Sequence, residues 1–303
     1  METETRKMGK FTKVLMVCAG ALVLLTAALL LSIPYLQESA QLSAPTEAPT
    51  DPPTEAVTEA PTEPEETEEP TEPEPTLPPE FDNPYGELDF QFNGRYLECT
   101  KTETLTGIDV SSHQQNIDWK WVKASGVDFA MIRIGYRGYE SGKLVMDTYA
   151  KANLEGAAAV GLPIGVYFFS QALNVEEAKE EAAFVVDAIS GYDITMPVVF
   201  DWENVSDEDA RSHNMDKRTL TDCALAFLGD IQEAGYTPMM YFNSYQSRHM
   251  LHLEELTDYD FWLAMYTTRM DFPYKVKMWQ YTDKGTVPGI SGNTDVNVWF
   301  VED

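Results

Sequence analysis

Four carboxylates stand at the ends of predicted strands, where acidic side chains are uncommon. Asp109 ends TLTGIDVS, Asp201 and Glu203 end MPVVFDWE, and Asp295 lies in the final strand, in GNTDVNVW. Residues two apart on a strand point to the same side with Cα atoms about 7 Å apart, so Asp201 and Glu203 can address one bound group. Ionising several neighbouring carboxylates is costly, so at least one should hold a proton near neutrality. The leaving oxygen of a glycosidic bond requires such a proton, and the four acids are therefore the predicted catalytic residues.

Aromatic side chains gather at the same strand ends and predict a surface for sugar rings. The predicted substrate-binding residues are Tyr136, Tyr167, Phe169, Tyr241, Tyr266 and Trp279, and Trp262 and Tyr281 share their pattern. Aromatic residues in strands are as often core residues as ligand contacts. Their position beside the acids, rather than their number, favours a carbohydrate ligand.

Eight short runs rich in β-branched and aromatic residues predict eight strands between residues 104 and 301. Helical patterns, each closed by a glycine, separate the early ones at 117–124, 146–160, 176–189 and 219–234. Strand–helix alternation predicts a parallel sheet, and eight strands favour closure into a barrel. The last three strands have short polar links with little room for helices. The predicted fold class is therefore α/β, an irregular TIM-like barrel with its functional side chains at the carboxyl ends of the strands.

Other kinds of chemistry find little support in the sequence. It contains no glycine-rich phosphate loop, G-x-S-x-G elbow or C-x-x-C pair. His249 and His252 are three residues apart without a third ligand nearby, so we expect no metal and no cofactor. Residues 81–303 hold 35 acidic against 17 basic side chains, which argues against a nucleic-acid partner. Cys99 and Cys223 could pair in an oxidising exterior, which the sequence leaves open.

The first 80 residues predict a membrane anchor and a stalk. Residues 14–36 carry no charge and are long enough to cross a bilayer as a helix, and the basic tail at 1–13 predicts a cytoplasmic N-terminus. The alternative is a cleaved signal peptide and secretion, although the apolar run exceeds the usual length. Residues 37–80 repeat Pro, Thr and Glu and predict a disordered stalk. A lead-in segment, 81–103, and the barrel domain, 104–303, would then lie outside the membrane.

A long stretch, GIDVSSHQQNIDWKWVKASGVDFAMIRIGY, resembles the opening of the family 25 glycoside hydrolases, the lysozymes of bacterial cell-wall enzymes and phage endolysins. Further similar landmarks follow in the family's order up to about Phe300, namely GLPIGVYFF, VVFDWEN, GYTPMMYFN, FWLAMY and MWQYTDKGTVPGISGNTDVN. The resemblance implies a barrel of five βα units plus three strands. It also implies hydrolysis of the β-1,4 bond between N-acetylmuramic acid and N-acetylglucosamine. We therefore expect a bacterial membrane protein that acts on peptidoglycan strands through a monomeric catalytic domain.

The resemblance also implies distinct roles for the acids. Glu203 matches the family's general acid/base, Asp201 its partner carboxylate, and Asp109 and Asp295 the acids that line the cleft. Glu203 would protonate the leaving oxygen and later activate water, while Asp201 would assist the substrate's 2-acetamido group as it attacks the anomeric carbon. Retention of configuration follows. Direct attack by an aspartate stays open, since it requires carboxyl groups only about 5–5.5 Å apart.

Two positions depart from the family's pattern. Gln115 stands where the family usually has glycine, and Phe168 and Phe169 replace a commoner histidine-containing sequence after Tyr167. These departures bear on binding and rate more than on the acid/base assignment. Two alternatives stay open, a chitinase-like glycosidase and a cell-wall-binding module with weak or no activity.

Overall fold

The structure is a computed structural model that describes residues 77–204 and 210–301. The predicted basic tail, the anchor at 14–36 and nearly all of the stalk lie outside these ranges. Within them, no helix has both the length and the apolar character that crossing a bilayer requires.

The described chain forms eleven strands and five α-helices. The strands are β1 (Phe90–Asn93), β2 (Tyr96–Cys99), β3 (Thr104–Val110), β4 (Phe129–Arg137), β5 (Leu144–Met146), β6 (Ile164–Ser170), β7 (Val198–Trp202), β8 (Pro238–Asn243), β9 (Asp260–Ala264), β10 (Met278–Gly285) and β11 (Thr294–Phe300). The helices are α1 (Trp119–Ala124), α2 (Ala150–Ala159), α3 (Val175–Ile189), α4 (Lys217–Glu233) and α5 (Ser244–His249).

Eight of these strands close into a barrel. Going round it, β3, β4, β6, β7, β8, β9, β10 and β11 pair in turn, and β11 pairs back with β3. The strands from β3 to β10 are parallel, whereas β11 is antiparallel to both of its neighbours. One helix follows each of the first five barrel strands, and the described segments after β9 and β10 contain none. The predicted irregular barrel of five βα units plus three strands is confirmed.

Two helices begin later than the sequence predicts. The helix predicted from 146 begins at Ala150, because Leu144–Met146 forms the edge strand β5 and the Asp147 carboxylate accepts a hydrogen bond from the Tyr149 amide at 2.8 Å. The first helix begins at Trp119, directly after Asp118, whose carboxylate accepts hydrogen bonds from the backbone amides of Lys120 and Trp121. The Asp118 N-cap satisfies amides that the helix itself leaves without a partner.

Side chains of the barrel strands alternate between the interior and the layer beneath the helices. Phe129, Met131, Val199, Met239 and Met278 pack together as one fully buried cluster, which fills the barrel interior. A Cβ at Gly107 would overlap the Phe129 ring, so the glycine makes room for it. Apolar side chains therefore fill the barrel interior.

A hairpin of β1 and β2 lies within the segment that the sequence indicated only as a lead-in. It packs on the outer side of β10, where the Phe90 ring meets Trp279 edge-on at 5.0 Å between centroids. Cys99 on β2 and Cys223 on α4 are both buried free thiols, so the possible disulfide between them is absent.

Candidate active site

A cleft of about 610 Å³ opens at the carboxyl ends of the barrel strands. All four predicted acids line it, together with five of the six predicted aromatic residues and Trp262: Tyr136, Tyr167, Phe169, Tyr241 and Tyr266. Sequence reasoning did not single out its other lining residues, which are Ser111, Ser112, His113, Gln114, Arg133, Arg137, Tyr139 and Gln280. The carboxyl ends of the strands thus bring together what the sequence placed far apart.

Trp279 lies outside this cleft, which corrects its predicted role in substrate binding. Its indole is fully buried on the outer side of β10 and donates a hydrogen bond to the Met265 carbonyl at 2.8 Å. Side chains alternate along a strand, so the next residue, Gln280, faces the cleft instead. Tyr281 again points outward and is nearly fully buried. Trp279 is a packing residue.

The pair Asp201 and Glu203 stands where β7 ends. Asp201 is buried and lies in register with Phe169 of β6 and Tyr241 of β8, so aromatic side chains flank it on both sides. Glu203 follows the strand directly and is half-buried. Trp202 between them points outward into the core. The alternation expected from the sequence therefore directs both carboxyl groups into the cleft.

Two buried glutamines hold the backbone of this segment. Gln246, on α5, donates a hydrogen bond to the Trp202 carbonyl at 2.6 Å, and Gln171 donates to the Glu203 carbonyl at 3.4 Å. The Gln171 side chain in turn accepts a hydrogen bond from the Ser212 hydroxyl. In a regular strand these carbonyls would accept hydrogen bonds from the neighbouring strands. Here the two glutamine side chains donate instead, and they fix the backbone where the strand pairing ends.

Asp109 and Asp295 face each other across neighbouring strands. They are direct partners in the antiparallel register of β3 and β11. Asp109 accepts hydrogen bonds from the side-chain amides of Asn297 at 2.8 Å and Gln280 at 3.0 Å. These amides fix the carboxyl group of Asp109 at the floor of the cleft.

Aromatic residues of the cleft are tied to the same amides. The Gln280 side-chain oxygen accepts hydrogen bonds from the hydroxyls of Tyr241 at 3.1 Å and Tyr266 at 3.2 Å. The Trp262 ring N–H donates to the Asn297 side chain at 2.8 Å. Sequence reasoning missed both amides, although each interrupts an apolar strand, in MWQYT and DVNVW, as the acids do.

Burial raises the pKa values of the two opposed aspartates, and repulsion by a neighbouring carboxylate, Glu203 for Asp109 and Asp109 for Asp295, adds to it. The pKa of Asp109 rises to about 6, mainly through burial and against the hydrogen bonds from Asn297 and Gln280. The pKa of Asp295 rises to about 8 through burial, with a further contribution from the charge of Asp109. Both acids thus hold protons well above the ordinary carboxylate range.

The pair on β7 is shifted in the same direction. Burial, together with the charges of Glu203 and Asp109, raises the pKa of Asp201 well above its ordinary value, and only Arg133 opposes this. Burial and the charge of Asp295 raise the pKa of Glu203. Four interacting carboxyl groups titrate together, so the cluster as a whole holds protons at neutral pH.

Arg133 supplies positive charge beside these acids. Its guanidinium contacts the Asp147 carboxylate at 2.8 Å, donates to the Ser112 hydroxyl at 3.0 Å and lies over the Tyr136 ring at 5.6 Å. A charged residue in the middle of the apolar run FAMIRIGY was the available sequence signal, and it was missed.

A strained residue directly follows Gln114, which lines the cleft. Gln115 has φ 54° and ψ −126° and is the one non-glycine residue with a positive φ among residues 77–204 and 210–301. Glycine adopts this conformation readily, whereas a side chain makes it unfavourable. The position at which the family usually has glycine is therefore one whose backbone favours glycine.

One group of potential metal ligands occurs within the described part of the chain. The ligand atoms of His252, Glu254 and Glu255 lie within 4.8 Å of one another, outside the cleft. Glu255 is already paired with Arg218 at 2.6 Å, and His249 does not belong to the group. The absence of a metal requirement stays a prediction.

A closed barrel with an acid cluster and aromatic rings at the carboxyl ends of its strands defines the class of barrel glycoside hydrolases. The sequence profile of Glycosyl hydrolases family 25 matches residues 108–290, more than half of the chain. The chain belongs to this family.

The chain is similar in sequence or structure to two bacterial autolysins. An autolytic lysozyme of Clostridium acetobutylicum is 26% identical over 194 residues, which cover 64% of this chain and 55% of that protein. The modular autolysin LytC from Streptococcus pneumoniae, solved in complex with a synthetic peptidoglycan ligand, superposes with a TM-score of 0.57 at 27% identity over 65% of this chain and 47% of LytC. The chain thus spans about half the length of these two relatives.

A third similarity concerns the fold alone. A family 25 glycosyl hydrolase from Bacillus anthracis superposes with a TM-score of 0.56 at 19% identity, covering 70% of this chain and 96% of that structure. The barrel described above is therefore close to the whole of that enzyme.

Proposed function

We propose that this protein is a muramidase, which hydrolyses the β-1,4 bond between N-acetylmuramic acid and N-acetylglucosamine in peptidoglycan. The observation that carries the proposal is the cluster of Asp109, Asp201, Glu203 and Asp295 with raised pKa values in an aromatic cleft. The lysozyme name of one relative and the peptidoglycan ligand of another support this substrate.

Glu203 is the proposed general acid/base. It is half-buried at the mouth of the cleft, where a glycosidic oxygen can reach it, and burial and Asp295 raise its pKa so that it can hold a proton to donate. After the sugar departs, the resulting carboxylate takes a proton from the attacking water. One residue thereby serves both steps.

Asp201 is the proposed partner of the substrate's 2-acetamido group. Its Oδ1 is buried without a hydrogen-bond partner among the described residues, so it is available to the N–H of a bound acetamido group. Holding that amide directs its oxygen at the anomeric carbon. Closing and reopening the resulting ring inverts the carbon twice, so we expect net retention.

The cleft aromatics are the proposed sugar-binding residues. Tyr136, Tyr167, Phe169, Tyr241 and Tyr266 surround the acids, and Gln280 orients the hydroxyls of the last two. Aromatic faces pack well against the apolar faces of sugar rings, and the phenol groups can bond to sugar hydroxyls. Substrate selection would therefore depend on Tyr241 and Tyr266 as fixed by Gln280.

We also propose that residues 14–36 anchor the protein in the bacterial cell membrane, with the barrel outside and the stalk between them. The support is the uncharged apolar run and the basic tail before it. Protease added to intact cells should remove the barrel and leave a membrane-bound fragment. Release of the entire barrel into the medium would favour signal cleavage instead.

The experiment that tests the activity compares wild-type full-length protein with Glu203→Gln on purified peptidoglycan. Wild type should clear the suspension and release products with reducing muramic acid ends, identified by mass spectrometry. Glu203→Gln should lose at least about 100-fold in rate, which is the usual contribution of an acid/base residue, while still binding the insoluble substrate.

A matched control is Glu155→Gln on α2, where the side chain is exposed and lies outside the cleft. It should keep the wild-type rate. Reducing glucosamine ends would instead indicate a glucosaminidase, and binding without any cleavage by wild type would indicate a wall-binding module. Cleavage of chitin but not of peptidoglycan would favour the chitinase-like alternative.

A further inference from the structure

A second pocket, of about 350 Å³, adjoins the catalytic cleft beyond the end of β9. Its walls come from the β1–β2 hairpin, from the segment after β9, from the end of β10 with the residue after it, and from β11: Phe92, Arg95, Tyr96, Tyr266, Thr267, Thr268, Tyr281, Thr282, Lys284, Gly285, Thr286 and Val296. The hairpin precedes residues 108–290, which the family profile matches. We call this site the hairpin pocket.

The hairpin pocket is continuous with the catalytic cleft through Tyr266, which lines both. The Tyr266 side chain is 56% exposed, and its hydroxyl is held by Gln280, which also binds the catalytic-cluster residue Asp109. A ligand bound at the acids can therefore extend over the Tyr266 ring towards the hairpin pocket.

The charge of the hairpin pocket is opposite to that of the domain around it. Arg95 and Lys284 line it, and no acidic residue of the described chain does, although acids outnumber basic residues 35 to 17 in residues 81–303. Arg95 uses one donor on the Thr286 carbonyl at 3.1 Å and keeps others for a ligand. Lys284 is 75% exposed and only loosely paired with Asp283 at 3.6 Å. The pocket therefore attracts a carboxylate.

Its remaining surface suits a peptide more than a bare ion. Phe92 is 54% exposed although it packs edge-on against Tyr281, and it offers an apolar face at the mouth. Hydroxyl groups of Thr267, Thr268 and Thr282 line the walls. An apolar face, hydroxyls and two cations together match a short chain that carries both amide and carboxylate groups.

We propose that the hairpin pocket is an accessory subsite that binds the carboxylate-bearing peptide branch of a glycan strand lying in the catalytic cleft. The inference rests on the proposed function, because in peptidoglycan the lactyl group of muramic acid carries such peptides. Two observations favour this ligand: the pocket shares Tyr266 with the catalytic cleft, and Arg95 and Lys284 give it positive charge. The hairpin thereby adds preference for peptide-substituted strands to the catalytic barrel.

The test compares two soluble substrates, glycan strands with their peptides and the same strands after an amidase has removed them. The full-length wild type should have a higher kcat/KM for the first. In Arg95→Glu/Lys284→Glu the ratio of the two kcat/KM values should fall about fivefold, as expected for two exposed charge contacts. Added salt should lower the wild-type ratio towards that of the variant, since exposed charges are screened.

A matched control reverses two exposed lysines outside both pockets, Lys151→Glu/Lys179→Glu. An unchanged ratio in the Arg95/Lys284 variant, or an equal fall in this control, overturns the proposal. Arg95→Gln, which can still donate to Thr286, is the second variant if charge reversal unfolds the hairpin, and it should lower the ratio less.

Binding measurements test the peptide subsite independently of the proposed muramidase activity. Calorimetry in a Glu203→Gln background should show tighter binding of peptide-bearing strands, and this difference should shrink when Arg95 and Lys284 are reversed. If wild type cleaves neither substrate, the muramidase assignment fails, while the binding difference still decides the subsite. If wild type cleaves both and neither the ratio nor the binding depends on the two cations, the subsite alone is refuted.

Discussion

Replacing Gln115 with glycine should stabilise the barrel, which is the reverse of the usual effect of a glycine. The residue holds φ 54° and ψ −126° directly after the short turn Ser112–Gln114, and its side chain is exposed. Removing an exposed side chain sacrifices little packing. Its removal does relieve the contact between Cβ and the backbone that makes a positive φ unfavourable.

The size of the effect follows from two opposing contributions. A residue in a sparsely populated backbone conformation costs roughly 1–3 kcal/mol, and glycine gives back about 0.5–1 kcal/mol because its unfolded chain is more flexible. The free energy of unfolding should therefore rise by about 0.5–2 kcal/mol. For a domain of this size, each kcal/mol raises Tm by roughly 2–4 °C.

The free energy of unfolding should be measured by thermal and urea unfolding of the wild type, Gln115→Gly and Gln115→Ala. Alanine removes the same polar atoms but keeps Cβ, so Gln115→Ala should stay within about 0.5 kcal/mol of wild type. Equal stability of the glycine variant and wild type, or an equal gain from alanine, would refute strain at this position. Activity on peptidoglycan should be recorded in parallel, because Gln114 next to it lines the cleft.

Three further predictions concern the cleft and its support. Activity should decline on the alkaline side, because the proposed proton donor Glu203, whose pKa is raised by burial and by the charge of Asp295, then loses its proton. Asp295→Asn should move this decline to lower pH, because it removes that charge. Trp279→Ala should lower the free energy of unfolding by about 3–5 kcal/mol, whereas Tyr266→Ala should mainly raise KM. Gln246→Glu, which loses the donor to the Trp202 carbonyl, should lower kcat more than it raises KM.

Each of these has a result that would contradict it. A pH profile unaffected by Asp295→Asn would remove Asp295 from the electrostatic environment of Glu203. A raised KM with unchanged unfolding in Trp279→Ala would return Trp279 to the binding residues. Equal kcat in Gln246→Glu and wild type would show that the Trp202 carbonyl needs no fixed position.

Much of the site was readable from the sequence because strand periodicity and barrel geometry act together. Asp201 and Glu203 alternate with Trp202, and Asp109 and Asp295 interrupt apolar strands at the mouth of the barrel. The same reasoning failed for Trp279, because on a short run such as MWQYT the pattern alone leaves open which face points inward. Only the pairing of β10 with β9 and β11 decides that Gln280 faces the cleft.

The sequence alone indicated the order of the eight barrel strands and of the first four helices, the family and the four acids, since these depend on local periodicity and on motifs within single elements. Tertiary structure decided the amide network of Gln280 and Asn297, the pairing of Arg133 with Asp147 and the raised pKa values of the acids. It also placed the β1–β2 hairpin beside Tyr266. Each of these depends on distances between residues far apart in the chain, which are set only when the barrel closes.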